Sequence, residues 1–88
     1  MTTNDNANPT AERALASARA FINGRAEFAV ISAELTGEER PRLRFVSTVD
    51  PGEVREVAPS AWLELEDTPR TFILRTLTGQ ALKRSKYA

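Results

Sequence analysis

The chain has 88 residues, 41% of them hydrophobic, with twelve basic and twelve acidic side chains, a formal net charge of zero, and neither cysteine nor histidine. That composition implies one small domain with a modest core, and it excludes disulfides, thiolate metal sites, a cysteine nucleophile and the commonest general base and metal ligand. No apolar run approaches the roughly 20 residues that span a bilayer, so the expectation is a soluble, cytoplasmic protein with no membrane contact, no metal and no cofactor.

Residues 1–8 are polar, lack both a basic and an apolar region of the signal-peptide kind, and read as a flexible leader to a single domain over 9–88. Asn8 and Pro9 make a helix start, with Asn as N-cap and Pro in the first turn. Ala11, Ala14, Leu15, Ala18, Phe21 and Ile22 then fall on one helical face, with Glu12, Arg13, Ser17 and Arg19 off it. Asn23-Gly24 supplies a left-handed stop.

The run from Glu27 to Ala33 is rich in Phe, Val and Ile and reads as a buried strand. A polar loop over Thr36–Pro41 leads to a second strand, Leu43–Val49. There Leu43, Phe45, Ser47 and Val49 share one side, and Arg42, Arg44 and Thr48 share the other. Asp50-Pro51-Gly52 is a turn, since Pro presets φ and Gly accepts a positive one. Glu53–Ala58 is a third, short strand.

The last third admits two readings. In the preferred one Ser60 caps a short helix over Ala61–Leu65, and Thr68-Pro69 opens a second helix with the stripe Ile73, Leu77 and Ala81, flanked by Phe72, Leu74 and Leu82. Pro69 in the first turn and basic residues at the far end suit that helix, although Gly79 costs about 1 kcal/mol relative to Ala. In the other reading Leu63 and Leu65 alternate with Glu64 and Glu66 as a strand, and a further strand follows Pro69. The fold class is therefore α+β: an N-terminal amphipathic helix packed on a three-stranded antiparallel meander with a helical C-terminal segment. The alternative is a helix with a five-stranded small β-barrel.

Charge is unevenly spread. Residues 1–70 carry all twelve acids against eight arginines, whereas 71–88 carry Arg75, Lys83, Arg84 and Lys86 and no acid. A nucleic-acid reading places Arg75, Lys83, Arg84 and Lys86, with Tyr87, on phosphates, and has Phe72 or Tyr87 stack on a base. The competing explanation is that cations at a helix C-terminus complement its dipole. A carboxylate pair such as Glu64 and Glu66 is the nearest approach to catalytic chemistry, and it shares a face only if that segment is a strand. No histidine activates any serine, no glycine loop cradles a phosphate, and the acids do not match a calcium loop.

The expected function is thus a non-catalytic protein-binding or adaptor domain, with a protein partner that includes a second copy of itself among the candidates. Nucleic-acid binding is the alternative, and an enzyme is third. Trp62, Arg42, Arg44 and Arg55 are the candidate contact residues: Trp and Arg lead interface anchors when exposed. Against this, a lone tryptophan is commonly a core residue, and the arginines have Glu53, Glu56 and Glu27 as cross-sheet partners.

Overall fold

The computed structural model describes residues 9–37, 39–49, 52 and 54–87, with the side chains of 80–87 excepted. Asn8, Glu38, Asp50, Pro51 and Glu53, with the expectations attached to them, lie outside the described residues. The order is helix α1 (Pro9–Asn23), a 3-10 turn (Ala26–Phe28), strands β1 (Ile31–Thr36), β2 (Arg42–Ser47) and β3 (Val54–Val57), helix α2 (Pro59–Glu64) and helix α3 (Asp67–Tyr87). The three strands form one antiparallel sheet in the order β1-β2-β3. This is the helix-plus-meander fold with a helical C-terminus, and the five-stranded alternative is excluded because residues 59–64 and 67–87 are helical.

α1 buries Ala11, Ala14, Ala18, Phe21 and Ile22, the face its spacing requires. Its three small alanines let α2 and the sheet approach closely. The left-handed stop expected at Asn23-Gly24 does not form: neither residue has a positive φ, and the Gly24 amide still donates to the Ala20 carbonyl at 3.0 Å in the helical manner. Arg25 closes this end instead: its Nη1 donates to the Phe21 carbonyl at 3.2 Å, and its guanidinium lies 3.7 Å from the Phe21 ring centroid. The same side chain reaches Asp67 at the start of α3.

The strand expected at 27–33 is displaced. The Phe28 amide donates to the Arg25 carbonyl and that of Ala29 to the Ala26 carbonyl, both at 3.1 Å, so this stretch closes on itself as a turn. Phe28 is driven into the core, where it stacks with Phe21 at a centroid distance of 6.1 Å. Extended structure begins at Ile31 and runs to Thr36, with Ile31 and Ala33 buried and Ser32 and Glu34 exposed. The hairpin to β2 turns at Gly37, whose φ of +83° suits glycine, and a Cβ there would meet the Arg40 carbonyl oxygen at 2.9 Å.

β2 buries Leu43, Phe45 and Ser47, but it stops before Val49, which is 41% exposed. The buried Ser47 hydroxyl accepts the Val49 amide at 3.0 Å, bending the chain out of the ladder. α2 starts at Pro59 rather than on a Ser60 cap; its N-cap is Ala58 and makes no side-chain bond.

α3 begins at Asp67, where an acid complements the helix dipole. Of the expected stripe Ile73 and Leu77 do face inward, but the helix is turned so that the flank Leu74 joins them. Leu74 and Leu77 are fully buried, Arg70, Ile73 and Thr78 are half-buried beside them, and Phe72 faces out. Those five positions keep the i, i+3, i+4, i+7, i+8 spacing of a packed helix face. Polar Arg70 and Thr78 mark two of them, which hides the stripe from a reading based on apolar residues alone. Of the expected stripe, the side chains of Ala81 and Leu82 lie outside the described residues.

Trp62 sits where these layers meet. Its ring lies 5.9 Å from Phe21 of α1, edge-on, and 5.0 Å from Phe45 of β2, and its indole N–H donates to the Ser17 hydroxyl at 3.2 Å. Arg70 of α3 covers it with the guanidinium 4.6 Å from the ring centroid and donates to the Trp62 carbonyl at 2.9 Å. One side chain thereby joins α1, β2 and α3 to α2.

Candidate functional site

The helices cover one sheet face, on which Ile31, Ala33, Leu43, Phe45 and Ser47 are buried. The alternate residues form the opposite, open face: Ser32 and Glu34 on β1, Arg42, Arg44 and Val46 on β2, and Val54 and Glu56 on β3. Arg42 and Arg44 do project together from β2, as their spacing requires. Both meet Glu56 across the sheet, at 3.4 Å and 3.3 Å, and Arg44 also reaches Glu34 at 3.7 Å. The face is a charge-balanced ladder of partly exposed pairs, each worth about 0–1 kcal/mol. A partner carboxylate would have to displace Glu56 or Glu34 to reach either arginine.

Arg55 does not join them. It pairs in register with Phe45, so it belongs to the helix-covered side of the edge strand β3, and its Nη1 donates to the Val54 carbonyl at 2.9 Å. The pleat is the reason: Arg44 stands opposite Glu56, and its neighbour Arg55 points to the other face. Trp62 is fully buried and offers no surface in this conformation.

Of the basic set, Arg75 is held in an ion pair, its Nε donating to a Glu27 carboxylate oxygen at 2.8 Å. That hydrogen bond holds the Glu27 carboxyl below the usual carboxylate range, aided by the nearby charges of Arg75 and Arg25, and it raises Arg75 further. Because the folded carboxyl titrates low, the pair stabilises the fold above the ordinary carboxylate range. Its contribution fades as pH falls through Glu27's lowered pKa. The side chains of Lys83, Arg84, Lys86 and Tyr87 lie outside the described residues, on backbone that continues α3. Glu64 ends α2 and Glu66 lies in the link to α3, so the strand that would align them does not form. Among the described residues there is no cluster of three or more acids able to hold a metal, and no helix is long and apolar enough to cross a membrane.

Phe72, which the sequence offers as a flank of the α3 stripe and as a base-stacking candidate, lies at the surface. It is 71% exposed, whereas Phe21, Phe28, Phe45 and Trp62 are buried. Around it Asp67, Thr68, Thr71, Arg75 and Thr76 line a broad depression of about 480 Å³ on the outer side of α3. Phe72 adjoins Ile73 and Leu74 in sequence, so only the rotation of the helix separates it from the core residues. No protein-family model, no curated protein and no solved structure matches the chain.

Proposed function

We propose that the chain is a small, non-catalytic protein-binding domain whose contact with its partner is centred on Phe72. The supporting observation is the setting of that side chain: a large aromatic on the outer face of α3, ringed by threonines, an acid and an arginine. Exposed aromatic anchors bounded by a polar rim are the arrangement that concentrates binding energy at protein interfaces. Leaving an aromatic in water forgoes the stabilisation its burial would give, and docking recovers it. The Thr76 hydroxyl, which donates to the Phe72 carbonyl at 2.8 Å, and the Arg75–Glu27 pair supply polar contacts that stay satisfied when a partner is absent.

The nucleic-acid alternative rests on the basic segment after residue 70, of which Arg75 is already committed to Glu27. One experiment separates the two readings. Wild type and Phe72→Ala are compared for capture of cellular proteins and for binding of labelled DNA and RNA at low and physiological salt. The expected result is capture of a protein by wild type and its loss in Phe72→Ala, with the circular dichroism spectrum unchanged. Salt-sensitive nucleic-acid binding without capture of a protein would favour the basic segment instead, whether or not Phe72 stacks on a base.

A further inference from the structure

The open edge of β1 is a second surface, and its backbone is phased for use. The Thr48 amide donates to the Val30 carbonyl at 2.7 Å, and this pair continues the register in which Ile31 faces Ser47. Antiparallel pairs alternate between bonded and non-bonded. Ser32, Glu34 and Thr36 therefore turn their N–H and C=O groups toward β2, and Ile31, Ala33 and Leu35 turn theirs away from the sheet. The Ala33 carbonyl confirms the phase independently, since it accepts the Arg19 Nε from α1 at 3.3 Å.

Beside this edge runs a cleft of about 250 Å³ between the end of α1 and β1, lined by Arg19, Ile22, Asn23, Ile31, Ser32 and Ala33. It is smaller than the roughly 300–1,000 Å³ of small-molecule sites. Side chains of an added strand suit it better than a compact ligand. Arg19 is exposed at its rim and has no carboxylate partner among the described residues. Its only hydrogen bond there is long for an N–H to oxygen contact, and so easily exchanged.

We propose that the β1 edge takes up an extended, acid-bearing peptide segment as an added strand, with Arg19 reading the acid. The incoming backbone supplies the donor for the Ala33 carbonyl, and the released guanidinium pairs with a carboxylate on the residue opposite Ala33. Cross-strand partners share a face, so that carboxylate lies on the α1 side. The outward side chains of the segment lie beside Ser32 and Glu34, where an acid is repelled. A second copy of the chain is a poorer occupant: two-fold pairing of β1 about Ala33 sets two Arg19 guanidinium groups against each other. Strand addition of this kind draws affinity from main-chain bonds and specificity from alternate side chains. The site shares no lining residue with the Phe72 surface, so the failure of either leaves the other standing.

The test uses isotope-labelled full-length chain and the synthetic peptide Thr-Val-Thr-Asp-Thr-Val-Thr, with a twin in which Lys replaces Asp. Amide shifts and hydrogen exchange are read at each backbone position. The expected result is slowed exchange at Ile31, Ala33 and Leu35 with the Asp peptide, and about tenfold weaker binding of the Lys twin, equivalent to about 1.4 kcal/mol. Arg19→Ala, a change at an exposed helix position, should remove that discrimination. The proposal is overturned if neither peptide perturbs β1, or if Arg19→Ala tightens binding, which would make Arg19 a guard of the edge. Protection of the three amides in the free chain that is lost on dilution would also overturn it, by assigning the edge to a second copy.

Discussion

Trp62→Ala is expected to destabilise the domain by about 3–5 kcal/mol, the range for truncating a buried large aromatic. The side chain is fully buried, touches rings from α1 and β2, and carries Arg70 on its face. Its removal also leaves the Ser17 hydroxyl without the indole donor. Small domains hold only about 5–15 kcal/mol of net stability, so this one substitution removes a large part of it. Urea unfolding followed by circular dichroism gives the value directly. Trp62→Phe should fall between wild type and Ala, because it keeps an aromatic ring and loses the hydrogen bond. A loss below about 1 kcal/mol for Trp62→Ala is what a surface side chain gives, and would place the indole outside the core.

The second large effect lies on α3. Leu77→Ala should cost about 2–5 kcal/mol by leaving a cavity between α3 and the sheet. Phe72→Ala should stay within about 0.5 kcal/mol of wild type, as surface substitutions do. Phe72 is the larger residue, so size alone gives the opposite order, and the pair reports the rotation of α3. The same urea series measures both. If Phe72→Ala proved the more damaging, α3 would be turned so that Phe72 faces the sheet, and the proposed contact surface would disappear with it.

The helix-and-meander fold was legible wherever one residue pattern admitted one explanation. Ala11, Ala14, Ala18, Phe21 and Ile22 have no other periodicity than the helical one, and Leu43 and Phe45 alternate cleanly with Arg42 and Arg44. The run Phe28-Ala29-Val30-Ile31 is apolar throughout, so periodicity does not say where turn gives way to strand. Closure of a 3-10 turn onto Arg25 and Ala26 decided it. Ile73 and Leu77 face inward on α3 as their spacing requires, but the stripe is turned toward Leu74, because Arg70 fills a core-facing position through its aromatic contact with Trp62, which composition scores as polar. Arg55, grouped with Arg42 and Arg44 as a contact candidate, stands on the other face of the sheet from them, because sidedness depends on cross-strand register, which no single strand contains.

The surfaces were less legible than the fold. Phe72 looked like a flank of the apolar stripe, and only its exposure in the folded chain separates it from Leu74. Arg19 looked like one more solvated residue off the α1 stripe. Its place over the Ala33 carbonyl joins residues 14 positions apart, through packing of α1 on β1 that no local pattern encodes. In the same way Ser17, equally off the stripe, meets Trp62 45 positions away.

The division between Trp62 inside and Phe72 outside is the claim on which the fold and the proposed contact both depend. The chain has one tryptophan, so its emission reports that residue alone. The most direct measurement is the emission maximum of the native chain with its quenching by acrylamide, repeated on Phe72→Ala. Blue-shifted, poorly quenched emission that is the same in both proteins is the expected result. Emission at the wavelength of the unfolded chain, quenched as readily, would contradict the account by showing that the helices do not close over Trp62.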